Sequence, residues 1–282
     1  MRTFLRWTGR IVLGLVMLLV IAAGVVYALS VRILRAPDGV TGSTFTVPDD
    51  SASVAEGGRL AAIRGCDGCH GPGAAGQVMV DQLILGRLVA PALPDLARRE
   101  TPERMERAIR HGIGIDGRAL VLMPSEMYYD LSDEDLGRIV AWLRSLPGGQ
   151  DRLPSRRLRL ARLFFVTKRF QPAYAYVPPG RIRLQPPLRE DTLRIGEYLA
   201  RTSCPECHGM DLLGDGSSTP SLAIVAGYSA EEFDTFVRTG LAKGGRELEL
   251  MSDVARSRLS HLNDEERTAL RLYLSGLAGA VP

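Results

Sequence analysis

Two pentapeptides, Cys66-Asp67-Gly68-Cys69-His70 and Cys204-Pro205-Glu206-Cys207-His208, hold all four cysteines of the chain and two of its four histidines. Two thiols three positions apart can each form a thioether with one vinyl group of a porphyrin. The residue that follows then brings an imidazole to the iron, so C-x-x-C-H is the attachment signature of a c-type haem. A disulfide framework would spread its cysteines through a small domain, whereas here each pair is local in a long chain. A zinc site would pool the four thiolates and leave His70 and His208, identically placed, without a role. The spacing therefore predicts two covalently attached haem c groups, with Cys66, Cys69, Cys204 and Cys207 as the attachment points and His70 and His208 as axial ligands to iron.

The elements that must carry these motifs occur twice. Gly58 and Gly196 each lie eight residues before the first cysteine of a motif. Downstream, Arg110-His111-Gly112 matches Arg238-Thr239-Gly240, Gly117-Arg118 matches Gly245-Arg246, and Met123 matches Met251. Leu131-Ser132-Asp133-Glu134-Asp135 then matches Leu262-Asn263-Asp264-Glu265-Glu266, and Trp142 matches Tyr273. The segment from Gln77 to Val89 has little counterpart in the second copy. Ser53 with Glu56 suggests a capping box at the start of the first helix, and Asp191 starts its partner. Middle helices begin near Thr101-Pro102 and at Ser229, and last helices at Ser132 and Asn263. The last helices place Leu136, Ile139, Val140 and Leu143, and Leu270, Tyr273 and Leu274, at helical spacing.

The 282 residues suffice for two domains, and a net charge of +3 implies no nucleic-acid partner. Residues 11–30 carry no charge, and a helix of that length spans a bilayer core of about 30 Å. Arg2, Arg6 and Arg10 before it favour an inside N-terminus. Residues 1–35 are therefore expected to form a membrane anchor. A cleaved signal peptide is the alternative, although the apolar run is longer than a usual signal core and no clear A-x-A site follows.

With their helices, motifs and late methionines, residues 51–147 and 188–278 resemble class I cytochrome c domains. The resemblance implies an all-α protein: an N-terminal transmembrane helix and two tandem cytochrome c-like domains, 51–147 and 188–282, joined by a basic linker, 148–187. It implies that Gly58 and Gly196 let the first and last helices cross closely. Met123, followed by proline, and Met251, followed by Ser252, resemble the family's distal iron ligands. Pro91 and Pro220 resemble the proline whose carbonyl receives the proximal imidazole N–H. Met79, Met105, Met127 and Met210 compete less well for the iron because the repeat does not duplicate them; bis-histidine ligation through His111 or His261 is the other alternative. Arg110, Arg118, Arg238 and Arg246 are candidate partners of the haem propionates by charge. Bacterial c-type haems are attached outside the cytoplasmic membrane, so the resemblance also places the haem domains in the periplasm.

In the linker Arg152, Arg156, Arg157, Arg159, Arg162, Lys168, Arg169, Arg181 and Arg183 face a single acid, Asp151, with leucines and phenylalanines between them. Three readings stand: a linker that buries its leucines between the domains, a strip on anionic lipid, or a docking site for an acidic protein. The function expected is single-electron transfer between a redox donor and an acceptor, such as a dehydrogenase subunit, an oxidase or another cytochrome. The alternative is a dihaem cytochrome c peroxidase, which needs one iron with an open or releasable sixth position.

Overall fold

The computed structural model describes residues 2–149, 153–188 and 190–279; Asp151 and Arg152 of the linker lie outside them. Helix α1 (Arg2–Ile33) is followed by α2 (Ser51–Ile63), α3 (Cys66–His70), strands β1 (Gln77–Gln82) and β2 (Gly86–Ala90), α4 (Leu93–Arg99), α5 (Pro102–His111), α6 (Ser125–Tyr128) and α7 (Asp133–Ser145). The linker contributes β3 (Arg157–Leu158) and α8 (Arg162–Val166). The second half comprises α9 (Thr192–Ser203), α10 (Pro205–His208), α11 (Ala230–Thr239), β4 (Leu241–Ala242), β5 (Arg246–Glu247), α12 (Glu249–Ser257) and α13 (Asp264–Gly276).

Four of the six expected helix starts carry the side-chain cap the sequence suggests; Thr101 flanks α5 but its side chain caps no backbone N–H. Ser132 and Asp191 accept from the backbone N–H three residues on, and Ser229–Glu232 and Asn263–Glu266 form complete capping boxes. The first helix instead starts at Asp50, whose carboxylate accepts from Ser53 N at 2.9 Å. An ionised acceptor one turn upstream displaces Ser53 from the cap.

In each half the first helix packs across the last. A Cβ on Gly196 would lie 2.1 Å from the Ala269 carbonyl, and one on Gly57 would lie 1.9 Å from the Arg138 carbonyl. The backbone approach in the first half thus falls on Gly57, one residue before the glycine the repeat picks out; Gly58 faces the Trp142 indole. Gly57→Ala or Gly196→Ala is expected to destabilise by about 1–3 kcal/mol through overpacking. In a thermal melt that is a fall of roughly 2–4 °C per kcal/mol for a protein of this size. An unchanged melting temperature would show that the crossing can open without penalty.

The expectation of an all-α protein holds in part: helices dominate, but short strands are added to them. Segment 77–90 is an antiparallel hairpin, and β3 of the linker adds a third strand, Gly86 opposite Leu158 and Arg87 opposite Arg157. Gly86 has φ +112°, and a Cβ there would lie 2.0 Å from the Arg157 carbonyl, so only glycine lets the third strand close. The linker's leucines are not buried between the halves either: Leu160 and Leu163 are exposed, while Phe165 is buried.

The two hydrophobic clusters exchange residues. Tyr198 of α9 is buried with Leu60, Met127, Leu136 and Val140 of the first half. Ile63 of α2 is buried with Leu199, Val237, Leu270 and Leu274 of the second. Arg59 forms a two-pronged ion pair with Glu266, at 2.6 and 2.8 Å. Among the described residues one helix, Arg6–Ile33, is long and apolar enough to cross a membrane, with mean hydropathy 2.8. Its far end is tied into the fold: Tyr174 Oη donates to the Ile33 carbonyl at 2.9 Å, and Ala119 N donates to that of Leu34 at 3.0 Å.

Candidate haem sites

The two motifs fold alike. In each, a short helix ends at the histidine and a glycine in a backbone conformation that side chains resist follows, Gly71 (φ 77°, ψ 170°) and Gly209 (φ 74°, ψ 164°). A second glycine closes the loop by donating its N–H to the histidine carbonyl: Gly76 to His70 at 2.6 Å and Gly214 to His208 at 2.9 Å. Both rings are buried. His70 Nδ1–H donates to the Pro91 carbonyl and His208 Nδ1–H to the Pro220 carbonyl, each at 2.9 Å. That bond fixes the tautomer and leaves Nε2 of each ring with its lone pair for a metal.

Burial pushes the Cys66 and Cys204 thiols up to about 12. Thiols held neutral are poor thiolate ligands for zinc. Among the described residues no three His, Cys, Asp or Glu side chains converge as a metal cluster, so the cysteines remain two separate pairs.

The first motif opens on a cavity of about 440 Å³. Its walls include Cys66, Cys69, His70, Pro91, Met123 and, among the apolar residues, Leu96, Ile109 and Leu120. An apolar chamber with an imidazole, two thiols and a thioether fits a covalently held haem. Met123 follows Leu122, a non-glycine residue at φ +67°. Such strain costs about 1–3 kcal/mol and marks a position fixed by its surroundings. Met79 and Met105 also line the cavity. Met127 is buried in the first core, and His111 is turned to Glu106 (3.5 Å) and the edge of Tyr129. In the second half Met251 packs against the apolar cluster that contains Leu199 and Leu270, while His261 is exposed.

The arginines are redistributed. Arg118 is exposed and turned towards Asp116 at 3.7 Å, and Arg246 is exposed with Nε donating to the Lys243 carbonyl at 3.3 Å. Arg110 is fully buried on Glu106, Asp133 and the Leu131 carbonyl, and Arg238 is exposed beside Asp234. None of the four lines the first cavity; Arg64 and Arg156 do. Arg156 comes from the linker, and burial lowers its pKa. Its Nη1 donates to the Ala119 carbonyl at 3.3 Å, and with Arg64 it is the basic group the cavity wall presents. Arg64 is 1% exposed, with Nη2 at 3.3–3.4 Å from Thr202 and Asp135 and its Nε and Nη1 without partners.

The motif loops meet across the halves. Arg258 pairs with Glu206 of the second motif at 2.9 Å. Its guanidinium occupies the space where a Cβ on Gly65, next to Cys66, would stand, 2.2 Å from Cζ.

Residues 52–143 match the family model described as cytochrome C oxidase, cbb3-type, subunit III. No curated protein matches the chain. The matched stretch contains the first motif, and it is a c-type cytochrome domain that carries covalently bound haem c and transfers electrons.

Proposed function

We propose that the chain is a membrane-anchored dihaem c-type cytochrome that carries single electrons between a redox donor and an acceptor, with both haem domains on the periplasmic side. The observation that carries the second haem is the repeated histidine geometry. Beyond the matched stretch, His208 makes the same Nδ1–H bond to a proline carbonyl, at the same 2.9 Å, as His70 does within it. Iron held in a c-type haem supplies reversible one-electron exchange. The chain's own residues do the rest. His70 and His208 are oriented by Pro91 and Pro220, the thioethers of Met123 and Met251 would close a bound iron to exogenous ligands, and the apolar walls of the first cavity would exclude water.

Arg258, between Gly65 and Glu206, brings the attachment loops to one face, which supports passage of the electron from one site to the other. Retention of residues 1–35 as an anchor, rather than cleavage, is supported by Ser30, which is wholly buried and accepts from Arg162 Nη1 at 2.9 Å. The description matched by residues 52–143 is that of an oxidase subunit, which favours a terminal oxidase as the acceptor.

The test is haem stoichiometry by pyridine haemochrome and intact mass on the purified chain. Two covalent haems per chain are expected, and one in the Cys204→Ala/Cys207→Ala variant. A single haem in the unmodified chain would sink the dihaem reading.

A further inference from the structure

Exposed apolar residues gather beside the exit of α1. The tip of the β1–β2 hairpin carries Leu83 and Ile84, 80% and 65% exposed. It is bound to the linker: Leu160 N donates to the Ile84 carbonyl at 3.2 Å and Arg159 Nη1 to that of Leu83 at 2.8 Å. Leu160, Leu163 and Phe170 extend the patch at 61%, 46% and 48% exposure. Phe170 is held edge-on to Phe164 of α8, with ring centroids 5.6 Å apart.

The depth of this patch is set by α1. Arg162, the first residue of α8, stacks over the Tyr27 ring at 4.5 Å and donates to Ser30 Oγ at 2.9 Å. Tyr27 and Ser30 are in the last turn of the uncharged run, residues 11–30. A segment packed at that level stands where hydrocarbon gives way to headgroups, the layer that tyrosine and arginine favour. The described linker, 153–188, contains no acidic residue. Lys168 and Arg169 are exposed beside the apolar side chains. Asp81, the acid nearest in the hairpin, is paired with Arg87 at 2.8 Å.

We propose that the hairpin tip and α8 form a second membrane contact, with Leu83, Ile84, Leu160, Leu163 and Phe170 seated in the headgroup layer and Lys168 and Arg169 on anionic phospholipid. The proposal rests on α1 being a retained anchor. Apolar insertion beside basic side chains is the pattern of interfacial segments, and anionic lipid attracts such residues within a Debye length. The contact fixes the orientation of the haem domains to the membrane plane, which a single helix leaves free to swivel.

The test uses the full haem-loaded chain in nanodiscs, of phosphatidylcholine alone or with phosphatidylglycerol. Nitroxide labels are placed through Ile84→Cys and Leu163→Cys. Leu18→Cys serves as the membrane reference, Ser218→Cys as the aqueous reference, and the unmodified chain as the labelling blank. Collision with oxygen against collision with a water-soluble nickel chelate reads depth. Labels at 84 and 163 are expected to shift from the value at 218 towards that at 18, further with phosphatidylglycerol. Lys168→Gln/Arg169→Gln is expected to remove that extra shift and leave the phosphatidylcholine value unchanged. Labels at 84 and 163 as aqueous as 218, with 18 in lipid, would overturn the contact and leave the anchor standing. A label at 18 in water would overturn the anchor and the contact with it. Labels shielded from both reagents would mean that protein, not lipid, covers the patch, and would also overturn the proposal.

Discussion

Replacing Met123 with alanine is expected to remove about half of the weak far-red absorption that methionine–iron bonding gives an oxidised c-type cytochrome. Met251→Ala removes the other half, and the double variant removes all of it. Each single variant, once reduced, gains one site for carbon monoxide. The midpoint potential of the affected haem falls, because thioether ligation favours the reduced iron. The fall exceeds a tenfold change in the redox equilibrium, which is about 59 mV for one electron. Met79 and Met105 share the first cavity with Met123, so Met79→Ala and Met105→Ala are the controls and should leave the band intact. A band that survives Met123→Ala but is lost in Met79→Ala would move the ligand to β1. Carbon monoxide binding by the unmodified reduced chain would favour the peroxidase alternative.

The second large effect concerns Arg64. Its guanidinium is buried against the first cavity with two nitrogens unpaired and only Asp135, at 3.4 Å, offsetting its charge, while water does not screen it. A buried cation disfavours the oxidised, more positive iron and raises the potential. Two charges on the order of 10 Å apart, at an effective dielectric of about 20, interact by ~1.7 kcal/mol. Arg64→Met should therefore lower one of two midpoints by more than a tenfold change in the redox equilibrium and leave the other nearly fixed. Spectroelectrochemical titration reads both. Arg64→Lys, which keeps the charge, should restore most of the shift. If methionine and lysine lower the midpoint equally, packing rather than charge is the cause. Asp135 keeps the Tyr198 hydroxyl at 2.7 Å in either variant, which limits the loss of stability.

The sequence motifs led to the histidines and their prolines because these contacts are local: Pro91 and Pro220 follow their histidines by 21 and 12 residues. The arginines illustrate the opposite case. Gly117-Arg118 and Gly245-Arg246 repeat because both glycines sit at φ +73° in a turn. Gly112 and Gly240 repeat because each ends a helix in the left-handed conformation. The duplicated signal was one of backbone shape: Arg118, Arg238 and Arg246 beside it face water, and Arg110 is buried in ion pairs away from the cavity. Arg64 and Arg156 carry no local mark. Arg64 is buried by Tyr198 and Thr202, which arrive from a distant helix, and Arg156 reaches the cavity only because β3 pairs with β2. The sheet itself was hidden because its third strand lies in the linker, where basic residues conceal the pairing.

Arg64 and Thr202 each stand two residues before the first cysteine of a motif, and they touch. Equivalent positions of two like units that touch lie at the axis relating the units. A doubled gene would at first place the same side chain on both sides of such an axis. Two buried guanidiniums face to face would repel each other where no water screens them, which disfavours an arginine in both units. A threonine opposite it breaks the symmetry at the point where like charges would meet. Divergence between the two halves is thus built into the way they join.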